Sequence, residues 1–249
     1  MSYDESYRLE PTQLAGFSQA FRTLMPESFV GSVSAPLFET VGLGLDLKFR
    51  TGTYLTLQGE FLESEVERTV GTLESPPFPL FFTPSSMAED LDYREQTFSA
   101  TLNQLVSDQW SFGIRYKFTR SELERQLPEV PRTVMGARQL DEGDLHQASL
   151  FALFNHPSGW FAGADLNWYL QNSAFGTNST AGADVTTPIP GEEFPQLNVL
   201  AGYRFRRQRG EIALGGLNLT GEDYHLNPIN PYVELPRERV FYARLRLRF

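Results

Sequence analysis

The 249 residues carry 21 Lys and Arg against 31 Asp and Glu, a net charge of −10 that argues against a nucleic-acid partner, because binding phosphates requires a basic surface. The absence of cysteine removes disulfide frameworks, thiolate metal sites and thiol nucleophiles together. Apolar residues reach 41% and aromatics 13%, yet the mean hydropathy is −0.32, and apolar runs such as Phe78 to Phe82, broken by Pro79, fall far short of the roughly 20 residues a membrane helix needs.

What remains is a β protein, either soluble or spanning a membrane with strands whose alternation hides them from averaged hydropathy. A single sheet can absorb the whole chain, so one domain over residues 1–249 is expected. Met1 to Leu9 is polar and lacks the apolar core of a secretory signal, so an exported protein would need an upstream part, and the chain reads as the C-terminal portion of a longer one.

In chain order, Arg8 to Phe21 offers a first strand, followed by a connection through Met25, Pro26 and Pro36. From Phe38 the pattern sharpens: Val41, Leu43, Leu45, Leu47 and Phe49 share one face, and Thr40, Gly42, Gly44, Asp46 and Lys48 the other. Leu55 to Leu62 and Phe98 to Val106 are weaker strands of uncertain register. Trp110, Phe112, Ile114, Tyr116 and Phe118 alternate with Ser111, Gly113, Arg115, Lys117 and Thr119. Ala148 to Phe154 is weak, whereas Trp160 to Gln171 alternates clearly, with Asp165 on its polar side. Leu197 to Phe205, with Arg204 on its polar side, precedes the weaker Ala213 to Leu219. The last strand sets Phe241, Ala243, Leu245, Leu247 and Phe249 against Tyr242, Arg244, Arg246 and Arg248.

The connections alternate in length. Arg50 to Thr53, Ser107 to Gln109, His156 to Gly159 and Arg207 to Gly210 read as hairpin turns. Glu67 to Arg94, Ser121 to Asp144, Asn172 to Glu193 and Gly221 to Pro236 read as long loops rich in turn-forming and acidic residues. Strict alternation of short and long is the layout of an all-β, closed antiparallel up-and-down transmembrane barrel of about ten strands, with short periplasmic turns and long extracellular loops. An even strand count places both termini on the short-turn side, and closure removes open edges.

Charge facing lipid costs several kcal/mol per residue near the midplane, so Asp46, Lys48, Arg115, Lys117, Asp165, Arg204, Arg244 and Arg246 are expected to face the lumen. Trp110, Trp160, Trp168, Tyr116, Tyr203, Phe205 and Phe249 then form the aromatic girdle. A soluble β-sandwich binding module is the competing fold, but it would bury these aromatics.

Leu217-Asn218-Leu219-Thr220-Gly221-Glu222-Asp223-Tyr224, then Leu226-Asn227-Pro228 and the alternating segment to Phe249, resembles the end of a TonB-dependent receptor. The terminal aromatic preceded by Phe241, Ala243, Leu245 and Leu247 also resembles the signal read by the barrel assembly machinery. Glu10-Pro11-Thr12 with Gly16-Phe17, His156 to Phe161, and Ala201 to Phe205 resemble barrels that end some tetratricopeptide-repeat outer-membrane proteins. These resemblances imply residence in the bacterial outer membrane, contact with its lipid and lipopolysaccharide, and a periplasmic repeat domain upstream. No plug or TonB box is visible in this sequence, so energised uptake is not implied. The function expected is a membrane anchor or a small transport-related pore.

Candidate chemistry is sparse. Asn155-His156-Pro157-Ser158-Gly159 is similar to the Asn-His-x-Ser arrangement of the outer-membrane phospholipase, but on a short turn it serves turn formation, which leaves a hydrolase as the alternative function. His146 and His225 read as isolated, so no metal and no cofactor are expected. The acidic groups Glu60 to Glu67, Glu89 to Asp92, Asp141 to Asp144 and Glu192-Glu193 read as solvated loop charge, the alternative being divalent cations bridging to lipopolysaccharide. Gly42, Gly44, Gly59, Gly113, Gly163, Gly202, Gly215 and Gly216 mark bends or a crowded lumen.

Overall fold

A computed structural model describes residues 37–74, 83–178, 184–205, 210–223 and 238–247. They form nine strands: β1 (Leu37–Lys48), β2 (Thr53–Glu74), β3 (Thr83–Val106), β4 (Trp110–Gln126), β5 (Arg138–Asn155), β6 (Trp160–Asn178), β7 (Asp184–Arg204), β8 (Gly210–Leu217) and β9 (Val240–Leu247). Each pairs antiparallel with the next in one up-and-down sheet, and among the described residues there is no helix. Each strand read from the sequence beyond Phe38 is present. Among the described residues the sheet is not closed: β1 and β9 are its edges. The strand expected at Arg8 to Phe21, the terminal Phe249, and His225 lie outside the described residues.

The turns form for local reasons. Between β1 and β2 the Phe49 N–H donates to Thr53 O at 2.9 Å, and Gly52 takes φ +75°, the left-handed region that glycine enters without steric cost. Between β5 and β6 the His156 N–H donates to Trp160 O at 2.8 Å, with Gly159 at φ +106°. The Asn155 to Gly159 segment is therefore a hairpin turn, as its composition indicated.

Three of the four expected long loops, Glu67 to Arg94, Ser121 to Asp144 and Asn172 to Glu193, are mostly strand, which corrects that expectation, while most of the fourth, Gly221 to Pro236, lies outside the described residues. β2 and β3 run through much of Glu67 to Arg94, and β4 with β5 leaves only 127–137 between them. These extensions are charged on both strands, and cross-strand pairs hold them: Arg68 to Glu89 at 2.5 Å, Arg94 to Glu63 at 2.9 Å and Arg138 to Glu124 at 2.6 Å. Composition resembling a loop thus forms a ladder when opposite charges fall opposite each other. At the other extreme β8 stops at Leu217, short of the expected Leu219, because Asn218 turns at φ +51°.

The two faces of the sheet invert the usual order of a soluble protein. The outward face shows Val41 (70% exposed), Leu43 (84%), Ile114 (53%), Trp160 (59%), Leu214 (63%) and Phe241 (75%). The inward face buries Ser64, Glu95, Thr119, Ser121, Asp141, Gln147, Asn167 and Gln196, with Tyr93, Tyr169, Leu62 and Leu123 among them. Outward apolar stretches such as Val41 to Phe49, Trp110 to Phe118 and Trp160 to Trp168 each cover nine positions, matching the roughly 9–11 residues of a tilted membrane strand.

Inward glycines make room for rings. A Cβ on Gly113 would lie 2.1 Å from the Phe151 ring, on Gly202 2.4 Å from the Phe161 ring, and on Gly215 2.4 Å from the Tyr242 ring. The crowding expected at these three is observed. Gly59 differs: it faces outward into open space, where a Cβ meets nothing within 4 Å.

Candidate functional site

Strand parity places the eight charged candidates on the inward face. Asp46 accepts from Thr56 Oγ1 at 2.6 Å, and Lys48 sits 5.4 Å from the Tyr54 ring, both exposed at the β1 edge. Arg115 and Lys117 are half-buried on β4. Asp165 Oδ2 accepts from Asn167 Nδ2 and Asn198 Nδ2, each at 2.7 Å. This network extends to Ser149, which donates to Asn167 Oδ1 at 2.6 Å, and to the Asn218 N–H, which donates to Asn198 Oδ1 at 2.8 Å. The Asn218-Leu219 pair at the start of the receptor-like ending therefore ties the end of β8 onto β7. Leu219 N–H donates to Leu197 O at 2.8 Å, and Thr220 Oγ1 to Pro195 O at 3.0 Å.

The structure brings three of the candidates together at the short-turn end. Arg204 Nε donates to Glu211 Oε2 at 3.0 Å, its Nη1 donates to Asn155 Oδ1 at 2.7 Å, and its guanidinium lies 4.2 Å over the Phe161 ring. Arg244 Nη2 donates to Glu211 Oε1 at 2.6 Å, and Arg246 stands opposite Glu211 in the ladder. The remaining candidates stay apart on β1, β4 and β6.

Glu211 was missed from the sequence. Its signal was parity: it alternates with Ala213 and Gly215 on the inward side of β8, a strand whose register small residues on both faces left undecided. Two further acidic groups are buried: Asp141, which corrects its reading as solvated loop charge, and Glu95, missed one residue beyond the stretch read as loop. Asp141, fully buried, accepts from Arg125 Nη2 and from Gln139 Nε2 at 2.9 Å. Glu95 accepts from the Tyr93 hydroxyl and from Thr97 Oγ1 at 3.3 Å.

Among the described residues, neither His146 nor His156 belongs to a group that could hold a metal ion. His156 Nδ1 lies 2.6 Å from Ser158 Oγ, but both belong to one exposed turn, two residues apart. On the outward face His146 Nδ1 lies 2.7 Å from the Tyr116 hydroxyl, and its ring is tilted against Phe118. Among the described residues no group of His, Asp and Glu is arranged to hold a metal ion.

Beyond the outward apolar stretches the same face carries charges of both signs, with Glu63 and Glu65 on β2, Arg94 and Asp92 on β3, and Arg120, Glu122 and Glu124 on β4. Burial, followed by the charge of Glu124, raises the Asp92 carboxyl above its ordinary value. The hydrogen bond from Arg138 holds Glu124 below its own. These groups form pairs along the strands and no cage of oxygen ligands.

No protein-family model and no curated protein matches the chain. Among solved structures it is similar to the ferric-catecholate import receptor Fiu from E. coli K12. The open form gives a TM-score of 0.56 at 9% identity over 74% of this chain and 35% of that one. The closed form gives 0.54 at 10% identity over 76% and 33%. The ferric yersiniabactin uptake receptor FyuA from Yersinia pestis gives 0.49 at 10% identity over 75% and 29%. The chain thus spans about a third of the length of these receptors, and what it shares with Fiu at this identity is the fold: consecutive antiparallel strands of an outer-membrane β-barrel protein.

Proposed function

We propose that the sheet closes into an outer-membrane β-barrel, with Arg8 to Phe21 supplying the tenth strand, and that it anchors a larger protein in that membrane. The observation that carries this reading is the inversion of the faces. Large apolar side chains stand exposed along β1 to β9 while polar and charged ones are buried. Water tolerates no continuous apolar belt of this extent on a monomer, whereas lipid requires one.

The interior supports an anchor over an open channel. Ten strands about 4.8 Å apart, tilted by about 40°, enclose a backbone cylinder of roughly 10 Å radius. A tyrosine reaches more than half that distance, and Tyr93 and Tyr169 are both fully buried on the inward face, in company with Leu62, Leu123 and Leu145. Side chains of this size from opposing walls meet. The eight inward charged candidates, six cationic and two anionic, then line a filled lumen in which Asp46 and Asp165 balance only part of the positive charge, and Phe241, Ala243, Leu245, Leu247 and Phe249 form the segment read by the assembly machinery. Lipid and lipopolysaccharide are the surroundings of the belt, and a periplasmic repeat domain is the partner proposed upstream. The fold likeness to import receptors is consistent with a transport-related setting.

Planar-bilayer recording separates anchor from pore. The refolded chain is expected to give no steady conductance; a stable channel whose ion selectivity reverses on Arg204→Glu with Arg244→Glu would establish the pore instead. Lipid hydrolysis that is lost in His156→Ala would establish the hydrolase.

A further inference from the structure

Charge is segregated along the strands. Where β7, β8 and β9 reach the short-turn end, the inward face carries Arg204, Arg244 and Arg246, and Glu211 is the one carboxylate among the described residues there. A local excess of arginine in a chain of net charge −10 is costly through mutual repulsion unless something anionic meets it.

The arginines are also held in place. One carboxylate clamps two guanidinium groups, and Asn155 with the Phe161 ring fixes Arg204 from its other side. Among the described residues, Arg204 Nη2 and Arg244 Nη1 make no hydrogen bond. Two planar donor forks with spare N–H groups, prearranged around one anion, suit further carboxylates approaching from the end of the sheet.

We propose that this end is a docking site for an acidic polypeptide segment. The inference rests on the barrel reading, which makes this end the periplasmic mouth. The arginines project from the face opposite Phe205, Leu245 and Leu247, which belong to the apolar belt. Lipid headgroups gather around the belt's perimeter, whereas these donors open onto the mouth, where a chain bearing several carboxylates spans more than one arginine.

The test uses the full chain in zwitterionic nanodiscs, first shown to be folded by a heat-modifiable band, so that failure of the barrel reading is seen separately from failure of docking. A fluorescent ten-residue glutamate peptide is titrated at low salt. Binding is expected to weaken at least about tenfold in Arg204→Glu with Arg244→Glu, to fall steeply with salt, and to be unchanged in Arg94→Glu with Arg120→Glu at the other end. If the first double variant loses its folded band, Arg246→Glu carries the same test, with weakening of several-fold expected. No binding by the folded wild type, or equal binding by the variants, would overturn the proposal. So would stabilisation by phosphatidylglycerol that disappears in the same variants without any peptide binding, since it would assign the arginines to lipid.

Discussion

Replacing Gly202 by alanine tests whether the inward face is packed as described. The new Cβ would stand 2.4 Å from the Ile212 carbonyl oxygen and 2.4 Å from the Phe161 ring. The ring can rotate away, but the carbonyl belongs to the β7–β8 ladder and moves only with the strand. Displacing Phe161 also removes the surface under the Arg204 guanidinium. Overpacking of this kind costs about 1–3 kcal/mol, and the backbone clash puts Gly202→Ala in the upper part of that range. Gly59→Ala is the internal control. Its Cβ enters open space, and restricting the unfolded chain predicts a change between zero and a gain of about 1 kcal/mol. Urea unfolding in detergent micelles, followed by tryptophan fluorescence, measures both. A Gly202→Ala midpoint equal to wild type, or a Gly59→Ala protein as unstable as Gly202→Ala, would refute the packing and the assignment of inward and outward faces together.

Three further outcomes are expected. Ile114→Arg, in the middle of the outward stretch of β4, should destabilise the refolded protein by about 2–4 kcal/mol, whereas Lys117→Gln on the inward face should cost far less; vesicle-based unfolding titrations compare them. Asp141→Leu should cost about 1–3 kcal/mol in the same assay, below the full value for a broken buried pair because Arg125 is 30% exposed and reaches water. The Glu124 pair with Arg138 should show a pH window. Its folded pKa is depressed, so its contribution is present above the ordinary glutamate value and disappears as pH falls through the lower, folded one. Glu124→Gln should therefore destabilise by about 0.5–1 kcal/mol at neutral pH and match wild type in strong acid, as read from unfolding midpoints across pH; the figure is small because the pair is partly exposed.

Strand identity and face were legible in the sequence where the belt is apolar. Val41 to Phe49, Trp110 to Phe118 and Phe241 to Leu247 alternate so strictly that period and register follow together. Legibility failed where burial is polar. Tyr93, Ser121 and Asp141 are among the most buried residues, yet they sit in stretches whose composition matches a loop, because a polar interior does not advertise itself by hydrophobicity. Cross-strand partners such as Arg94 with Glu63, 31 positions apart, become visible only once the register is known. The same reason hid Glu211. Arg204 and Arg244 read as free lumen charge until β8 was placed between them, and the carboxylate that pairs with both turns an apparent line of positive charge into a clamp.

If the exposed apolar face meets lipid in a closed barrel, the urea-unfolded chain diluted into short-chain phosphatidylcholine vesicles should insert, as electrophoresis with and without boiling can show. A membrane-associated form is expected that resists SDS unboiled, migrates faster than the boiled chain, and is reduced by Phe249→Asp. A chain that instead folds as a monomer in buffer without lipid or detergent, and gives one unshifted band from vesicles, would contradict the closed barrel.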